Sequence, residues 1–147
     1  MGLKRWLCQV SLCLIPLHGL AAAPKIAASQ DFALALRSDG TVAAWGINDV
    51  GQLGNGQASI RVAPAMVTGI GQVRAVAAGQ QFTLALRSDG TLWSWGANDF
   101  GQLGDGTIRD KTRPVRVSGI GGTVTSIAAG HDHSLALTSD GRVWAWG

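Results

Sequence analysis

The chain has 147 residues, the size of one ordinary domain. Gly occupies 21 positions and only 14% of the residues are charged, a composition that suits short strands and tight turns better than long helices. The formal charge is +3, but setting aside Lys4 and Arg5 leaves ten basic and nine acidic residues, a net of +1. Because the basic residues are also scattered along the sequence, they give no electrostatic footprint for binding nucleic acid.

The N-terminal residues have the pattern of an export signal. Lys4 and Arg5 precede an apolar run that ends at Leu20, and three alanines follow. We expect residues 1–21 to be a signal peptide that is cleaved after Ala21. An uncleaved membrane anchor is the alternative, but the run is shorter than the roughly 20 clean apolar residues of a spanning helix. The sequence therefore predicts an exported protein (periplasmic, extracellular or at the cell surface) with no stable membrane insertion after cleavage.

Both cysteines, Cys8 and Cys13, lie in the predicted leader. The mature chain would therefore contain none. This excludes a disulfide framework, a thiolate zinc site and a cysteine nucleophile.

A segment of about fifty residues occurs three times after the leader. Asp39-Gly40 recurs at Asp89-Gly90 and again at Asp140-Gly141, each time between two apolar runs. Asp-Gly is typical of a tight hairpin turn because it tolerates positive φ angles. The predicted repeats cover approximately 25–72, 73–122 and an incomplete 123–147.

Alternation of apolar and polar residues predicts four strands in each complete repeat, as in a propeller blade. Pro64 and Pro114 are placed at the start of the fourth strand, where a missing N–H is least harmful. The predicted strands are 25–28, 32–37, 41–45 and 64–68 in the first copy, 73–77, 82–87, 91–95 and 114–117 in the second, and 124–128, 133–138 and 142–146 in the third.

Large apolar side chains are predicted to fill the gaps between adjacent sheets. Each buried leucine of this kind contributes about 1.5–3 kcal/mol. Tryptophan occurs directly before a glycine in each repeat, and in two repeats a second tryptophan lies two positions earlier. We interpret all of these as packing residues in the same gaps. The set is Leu34, Leu36, Leu84, Leu86, Leu135, Leu137, Trp45, Trp93, Trp95, Trp144 and Trp146.

The loop from Trp95 to Gly106 recurs as Trp45 to Gly56. The combined pattern Ala-Ala-Gly … Leu-Ala-Leu … Asp-Gly … Trp-Gly-x-Asn-x-x-Gly-Gln-Leu-Gly strongly resembles the repeats of the regulator of chromosome condensation (RCC1) family, over about 27–147. The resemblance implies an all-β, partial β-propeller of about two and a half four-stranded antiparallel blades out of a usual seven. We expect a truncated or partial chain. Assembly of several short chains into one ring, with self-association through open blade edges, is the alternative.

No residue pattern indicates catalysis, a metal or a cofactor. His131 and His133 flank Asp132, but no third ligand of suitable type is nearby for zinc. The Gly-rich loops lack the Lys or following helix of a phosphate cradle. No Ser-His-Asp order or nucleophile elbow is present. We therefore predict that the protein is not an enzyme and has no cofactor.

The sequence instead favours a protein–protein interaction module. The loop residues 56–63 and 106–113 differ strongly between copies, and variable, exposed loops on a rigid repeat are where partner recognition is expected. Basic side chains in these loops are the predicted partner-binding residues: Arg61, Arg109, Lys111 and Arg113.

Two further functions follow from the resemblance alone. The first is guanine nucleotide exchange on a small GTPase, against which export argues because such a partner would be cytosolic. The second is inhibition of a secreted enzyme, as in the secreted inhibitory proteins that share this propeller.

Overall fold

A computed structural model of the chain describes residues 22–147, so the predicted signal peptide and its cleavage site lie outside the described residues. Across this range no helix has the length and apolar character needed to cross a membrane. The described residues form strands β1 (Lys25–Ala28), β2 (Phe32–Leu36), β3 (Val42–Asn48), β4 (Ser59–Met66), β5 (Val73–Ala78), β6 (Phe82–Arg87), β7 (Leu92–Gly96), β8 (Lys111–Arg116), β9 (Val124–Ala129), β10 (Ser134–Thr138) and β11 (Val143–Trp146).

These strands form three antiparallel sheets in series. The first blade has the order β1-β2-β3-β4, the second β5-β6-β7-β8, and the third β11-β10-β9. The predicted all-β class, with four antiparallel strands in each complete repeat, is confirmed. The third blade has three strands within the described residues, as the sequence analysis expected.

The fourth strands are where the predicted boundaries are wrong. β4 begins at Ser59 and β8 at Lys111, so Pro64 and Pro114 lie inside their strands and not at the start. Both strands are the outermost of their sheets, where one side of the backbone has no neighbour and a missing N–H is tolerated. Irregular register between β3 and β4, and between β7 and β8, hides these strands from a simple alternation pattern.

The core lies between blades. Phe32, Leu34 and Leu36 of β2 are buried in one cluster with Ala85 and Trp95 of the second blade. The next junction repeats this arrangement with a second set of residues, from β6 and the third blade: Phe82, Leu84, Leu86, Ala136, Trp144 and Trp146. The predicted inter-blade packing is therefore confirmed at both junctions for these residues. Four other predicted packing residues belong to neither cluster, and one of them, Leu137, is 39% exposed: Leu135, Leu137, Trp45 and Trp93.

The hairpins form as predicted at the Asp-Gly pairs. Gly40 has φ +77°, and Asp39 Oδ1 accepts a hydrogen bond from the Thr41 amide at 3.0 Å. The same turn occurs at Asp89, where hydrogen bonds from the Thr91 hydroxyl and amide hold the pKa of the carboxyl below its ordinary value. These turns shape one end of each blade.

The antiparallel order places the connections at two opposite ends. The hairpins between second and third strands lie at one end with the linkers between blades. The connections from third to fourth strands lie at the other end. We call them loop 1 (residues 48–58) and loop 2 (residues 98–110).

Candidate functional site

Loop 2 is closed around the side chain of Asn98. This residue is fully buried, and its Nδ2 donates to the carbonyl oxygens of Thr107 at 2.9 Å and Arg109 at 3.1 Å. Its Oδ1 accepts from the Leu103 amide at 3.0 Å. One amide side chain therefore ties the two halves of the loop together and satisfies backbone groups that no strand pairs.

Loop 1 repeats this arrangement around Asn48. This side chain is also fully buried, donates to the Gln57 carbonyl at 2.8 Å and accepts from the Leu53 amide at 2.9 Å. The Asn of the repeat motif is thus the residue that fixes the loop, a role that the sequence analysis did not assign.

The main chain at the motif Gln joins each loop to the following blade. The main-chain carbonyl oxygen of Gln52 accepts hydrogen bonds from Trp95 Nε1 at 2.9 Å and from Thr83 Oγ1 at 3.1 Å. At the next junction, the carbonyl oxygen of Gln102 accepts from Trp146 Nε1 at 2.9 Å. Each loop is therefore hydrogen-bonded to the neighbouring sheet.

The tip of loop 2 exposes two large apolar side chains. Phe100 is 66% exposed and Ile108 is 71% exposed. At the corresponding places of loop 1 the chain has the half-buried Val50 and the small Ala58. Phe100 and Ile108 were not among the predicted binding residues, although both positions differ between copies whose scaffold residues agree.

Of the predicted partner-binding residues, Arg109 is exposed on this tip. Lys111 is bound within the loop: its Nζ lies 3.2 Å from Asp105 Oδ2 and donates to Thr107 Oγ1 at 3.0 Å and to the Arg109 carbonyl at 3.1 Å. The ammonium of Lys111 thus stabilises the loop that presents Arg109.

Asp105 is the acidic partner in this arrangement. Its side chain is only 8% exposed. Burial acts to raise the pKa of Asp105, but hydrogen bonds from Thr107 and the charge of Lys111 outweigh it and hold the pKa below the ordinary value. Loop 2 therefore contains an ionised carboxylate where loop 1 has Asn55.

The other two predicted residues lie on the outer strands. Arg113 is exposed on β8, and its guanidinium lies over Gly56: a Cβ at that glycine would stand 2.9 Å from Nη2. The Arg113 side chain therefore covers loop 1 and does not extend the loop 2 tip. Arg61 belongs to β4, and its side chain lies outside the described residues.

The His131–Asp132 pair is the remaining polar cluster that the sequence singled out. His131 Nδ1 lies 2.5 Å from Asp132 Oδ2. Among residues 22–147 no three His, Cys, Asp or Glu side chains are grouped so as to hold a metal ion. His133 has its ring against Gly130, as Phe82 has its ring against Gly79, so the His133 ring is placed as a packing group.

Family comparison identifies the repeats. A family model described as the Regulator of chromosome condensation (RCC1) repeat matches residues 39–86 and 89–137, and a second model with the same description matches residues 25–52 and 73–102. No curated protein sequence gives a significant match.

Solved structures of similar proteins have the same fold as this chain. Human WBSCR16 is 29% identical with a TM-score of 0.77, over 86% of this chain and 33% of that protein. Prp20p from Saccharomyces cerevisiae is 34% identical with a TM-score of 0.68, over 82% of this chain and 30% of that one. Yeast RCC1 (Prp20) bound to Kap60 is 33% identical with a TM-score of 0.69, over 82% of this chain and 28% of that one.

The chain thus spans a third or less of each of these solved proteins. The predicted partial propeller and the predicted resemblance are both confirmed. The chain belongs to the family of regulator of chromosome condensation (RCC1) repeat proteins.

Proposed function

We propose that this chain is an exported protein-interaction module that binds a partner protein through the tip of loop 2. The observation that carries the proposal is the exposure of Phe100 and Ile108 on a loop fixed by the fully buried Asn98. Large apolar side chains are costly to leave in water, and on a rigid loop they lose little conformational freedom on binding.

The basic residues have different parts in this proposal. Arg109 is exposed beside the apolar pair and contacts the partner directly, since arginine with an aromatic residue is typical of strongly contributing contacts. Lys111 acts indirectly by holding Asp105 and the Arg109 carbonyl. Arg113, which covers loop 1, is not part of the proposed loop 2 surface, and the side chain of Arg61 lies outside the described residues.

Two solved structures of one relative, yeast Prp20, support a protein partner. The yeast RCC1 (Prp20) structure contains bound Kap60, and the Prp20p structure is reported with the binding of that protein to Gsp1p and histones. Prp20, which shares these repeats, therefore binds other proteins, and this favours the same class of function for this chain.

The experiment captures partners with the purified mature chain and measures their affinity by calorimetry. The double variant Phe100→Ala/Ile108→Ala should weaken binding at least about tenfold, as loss of central apolar contacts does. Val143→Ala is the matched control, because Val143 is 70% exposed but lies on β11. Equal affinities of the double variant and the wild type would reject loop 2 as the binding surface.

Export has its own test. Residues 1–30 fused to a reporter that is active only outside the cytosol should give an active reporter. A reporter that stays inactive would reject export and would favour a cytosolic partner.

Guanine nucleotide exchange on a small GTPase is the second candidate, supported by the 34% identity to Prp20p. In a fluorescent-nucleotide release assay, faster release in the presence of the chain would favour this function over simple binding. If the captured partner is instead a secreted hydrolase that loses activity at one-to-one stoichiometry, the interaction is inhibitory.

A further inference from the structure

Loop 1 contains an asparagine that is followed by glycine. The chain has three asparagines; Asn48 and Asn98 are each followed by aspartate, whereas Asn55 is followed by Gly56. Asparagine side chains are thermolabile because the main-chain nitrogen of the next residue can attack their amide carbon. Glycine makes this attack easiest because it has no side chain to hinder its nitrogen. The sequence therefore makes Asn55 the most reactive of the three asparagine amides.

The folded chain holds both reacting groups of this pair. Gly56, at φ +85°, donates its main-chain N–H to the carbonyl of Thr112 on β8 at 2.8 Å. Asn55 Oδ1 accepts from the Gln57 amide at 3.0 Å and from Asn48 Nδ2 at 3.2 Å. The nitrogen of Gly56 can attack only after it loses its proton, so its hydrogen bond to Thr112 must break first. The side chain of Asn55 must likewise leave its donors before its carbon can turn towards that nitrogen.

Loop 1 contacts β8 at two further points. A Cβ at Gly51 would stand 2.6 Å from Thr112 Cα, so the two main chains are in direct contact there. The Arg113 guanidinium lies over Gly56. The first and second blades, which make this contact, each have all four strands. Asn55 and Gly56 are half-buried, so water reaches them, but the reaction between them requires loop 1 to separate from β8.

We infer that Asn55 is a site of spontaneous deamidation, and that separation of loop 1 from β8 sets its rate. On separation, the Gly56 nitrogen gives its proton to water and forms a bond to Asn55 Cγ. The bond from Cγ to Nδ2 breaks, and Nδ2 takes up a proton from water and leaves as ammonia, so a five-membered imide remains. A water molecule then adds to one of the two imide carbonyls and opens the ring to aspartate or isoaspartate. No atom is oxidised or reduced, and water is the only co-reactant.

Loop 2 has an aspartate at the place where this reaction puts one in loop 1. Asp105 occupies the position of Asn55, and its Oδ1 accepts from the Thr107 amide at 2.9 Å and from Asn98 Nδ2 at 3.3 Å. A carboxylate at residue 55 can accept the two equivalent hydrogen bonds, so the aspartate product keeps the path of loop 1 and adds a negative charge to it. Isoaspartate instead lengthens the main chain by one carbon and should open the contact with β8.

Incubation of the purified chain at constant pH and temperature, followed by peptide mapping with mass spectrometry, tests this inference. Loss of the Asn55 amide gives the mass increase of a carboxyl over an amide, and chromatography against an Asn55→Asp standard separates aspartate from isoaspartate. In native buffer the loss should be measurable but at least about tenfold slower than in concentrated urea, because opening of loop 1 costs free energy. Asn48 and Asn98 should keep their amides in native buffer.

A variant that loosens loop 1 separates local opening from unfolding of the whole chain. Asn48→Ala removes one donor to Asn55 and the hydrogen bond to the Gln57 carbonyl, so it should raise the rate in native buffer most of the way to the rate in urea. Val124→Ala is the matched control, because Val124 is 2% exposed and lies in the core between the second and third blades. This variant lowers the stability of the whole chain but should keep the wild-type rate. Far-ultraviolet circular dichroism verifies that both variants are folded.

Three results would overturn the inference. The first is a folded wild-type chain that keeps the Asn55 amide throughout the incubation. The second is an equal rate in native buffer and in urea, which would show that the contact with β8 does not restrain the reaction. The third is an equal acceleration by Val124→Ala and Asn48→Ala, which would show that unfolding of the whole chain sets the rate. None of these results bears on the loop 2 proposal, because its binding residues lie outside loop 1.

Discussion

Loops 1 and 2 keep the same buried amides but differ in what they expose. Asn48 and Asn98 occupy equivalent places and are fully buried, and the motif glutamines behind them each support the next blade. The outer positions change from Val50 to Phe100 and from Ala58 to Ile108. The repeat motif therefore encodes the inside of the loop, and the outside is free to carry a specific function.

The loops also differ in charge. Asn55 of loop 1 accepts a hydrogen bond from the Gln57 amide at 3.0 Å, and Asp105 of loop 2 accepts the equivalent bond from Thr107 at 2.9 Å. The Asp105 carboxylate also pairs with the ammonium group of Lys111, at 3.2 Å. The second loop therefore has a charged acceptor at the position where the first has a neutral amide.

The largest expected effect tests the amide scaffold. Asn98→Ala should lower the free energy of unfolding by about 3 kcal/mol, because two carbonyls and one amide lose their partner. Asn48→Ala should lower it by about 2 kcal/mol, because only one carbonyl and one amide of the main chain are affected. Urea unfolding measures both values. A larger loss of stability for Asn48→Ala than for Asn98→Ala would show that the number of main-chain hydrogen bonds does not set the contribution of each amide.

The next effect concerns the contact between loop and blade. Trp95→Phe should destabilise the protein by about 2 kcal/mol, because the Trp95 side chain is fully buried and the Gln52 carbonyl loses a donor. Trp146→Phe should be milder, about 1 kcal/mol, because Trp146 is only half-buried. Thermal unfolding of the two variants in parallel measures the stability that each one loses. Equal losses would contradict the expectation that Trp95 contributes more than Trp146.

A smaller effect is expected in the linkers. The linker between the first and second blades (residues 67–72) ends at Gln72, which has φ +55°. At the equivalent place, the linker between the second and third blades (residues 117–123) has Gly122, with φ +94°. Gln72→Gly should raise stability by about 1 kcal/mol relative to Gln72→Ala, because both variants lose the side-chain hydrogen bond from Arg87 but only glycine relieves the left-handed strain. Chemical denaturation measures the free energy of unfolding of both variants. If the alanine variant is as stable as the glycine variant, the left-handed backbone at residue 72 is not strained.

The smallest effect is confined to acid. The pKa of Asp105 is lower in the folded chain than its ordinary 3.8, so the ionised group stabilises the fold above that pH. This contribution is lost as the pH falls through the folded pKa. Asp105→Asn should therefore be less stable than the wild type near neutral pH and approach it at about pH 2.

Thr107→Val is the companion variant for this prediction. It removes the hydroxyl that donates to Asp105 at 2.7 Å and should make the acid dependence shallower. Melting temperatures measured from about pH 7 to about pH 2 give the curves. Parallel curves for Asp105→Asn and the wild type would show that this carboxylate does not couple to folding.

Much of the fold could be predicted because it depends on short segments. β1 and β6 have the predicted bounds, and the hairpins form at the predicted Asp-Gly pairs. The fourth strands could not be placed, since their pairing with β3 and β7 passes through irregular register. For the site, the sequence indicated the variable loops but not that Lys111 is held by Asp105.

The repeat, the strand pattern and the apolar side of each strand follow from the sequence alone, because these features depend on residues a few positions apart. Which groups meet between blades depends on how the sheets stack. Gln52 and Trp95 are 43 positions apart, and their hydrogen bond exists because two sheets stack. The exposed tip of loop 2 is likewise defined by what lies next to it in space.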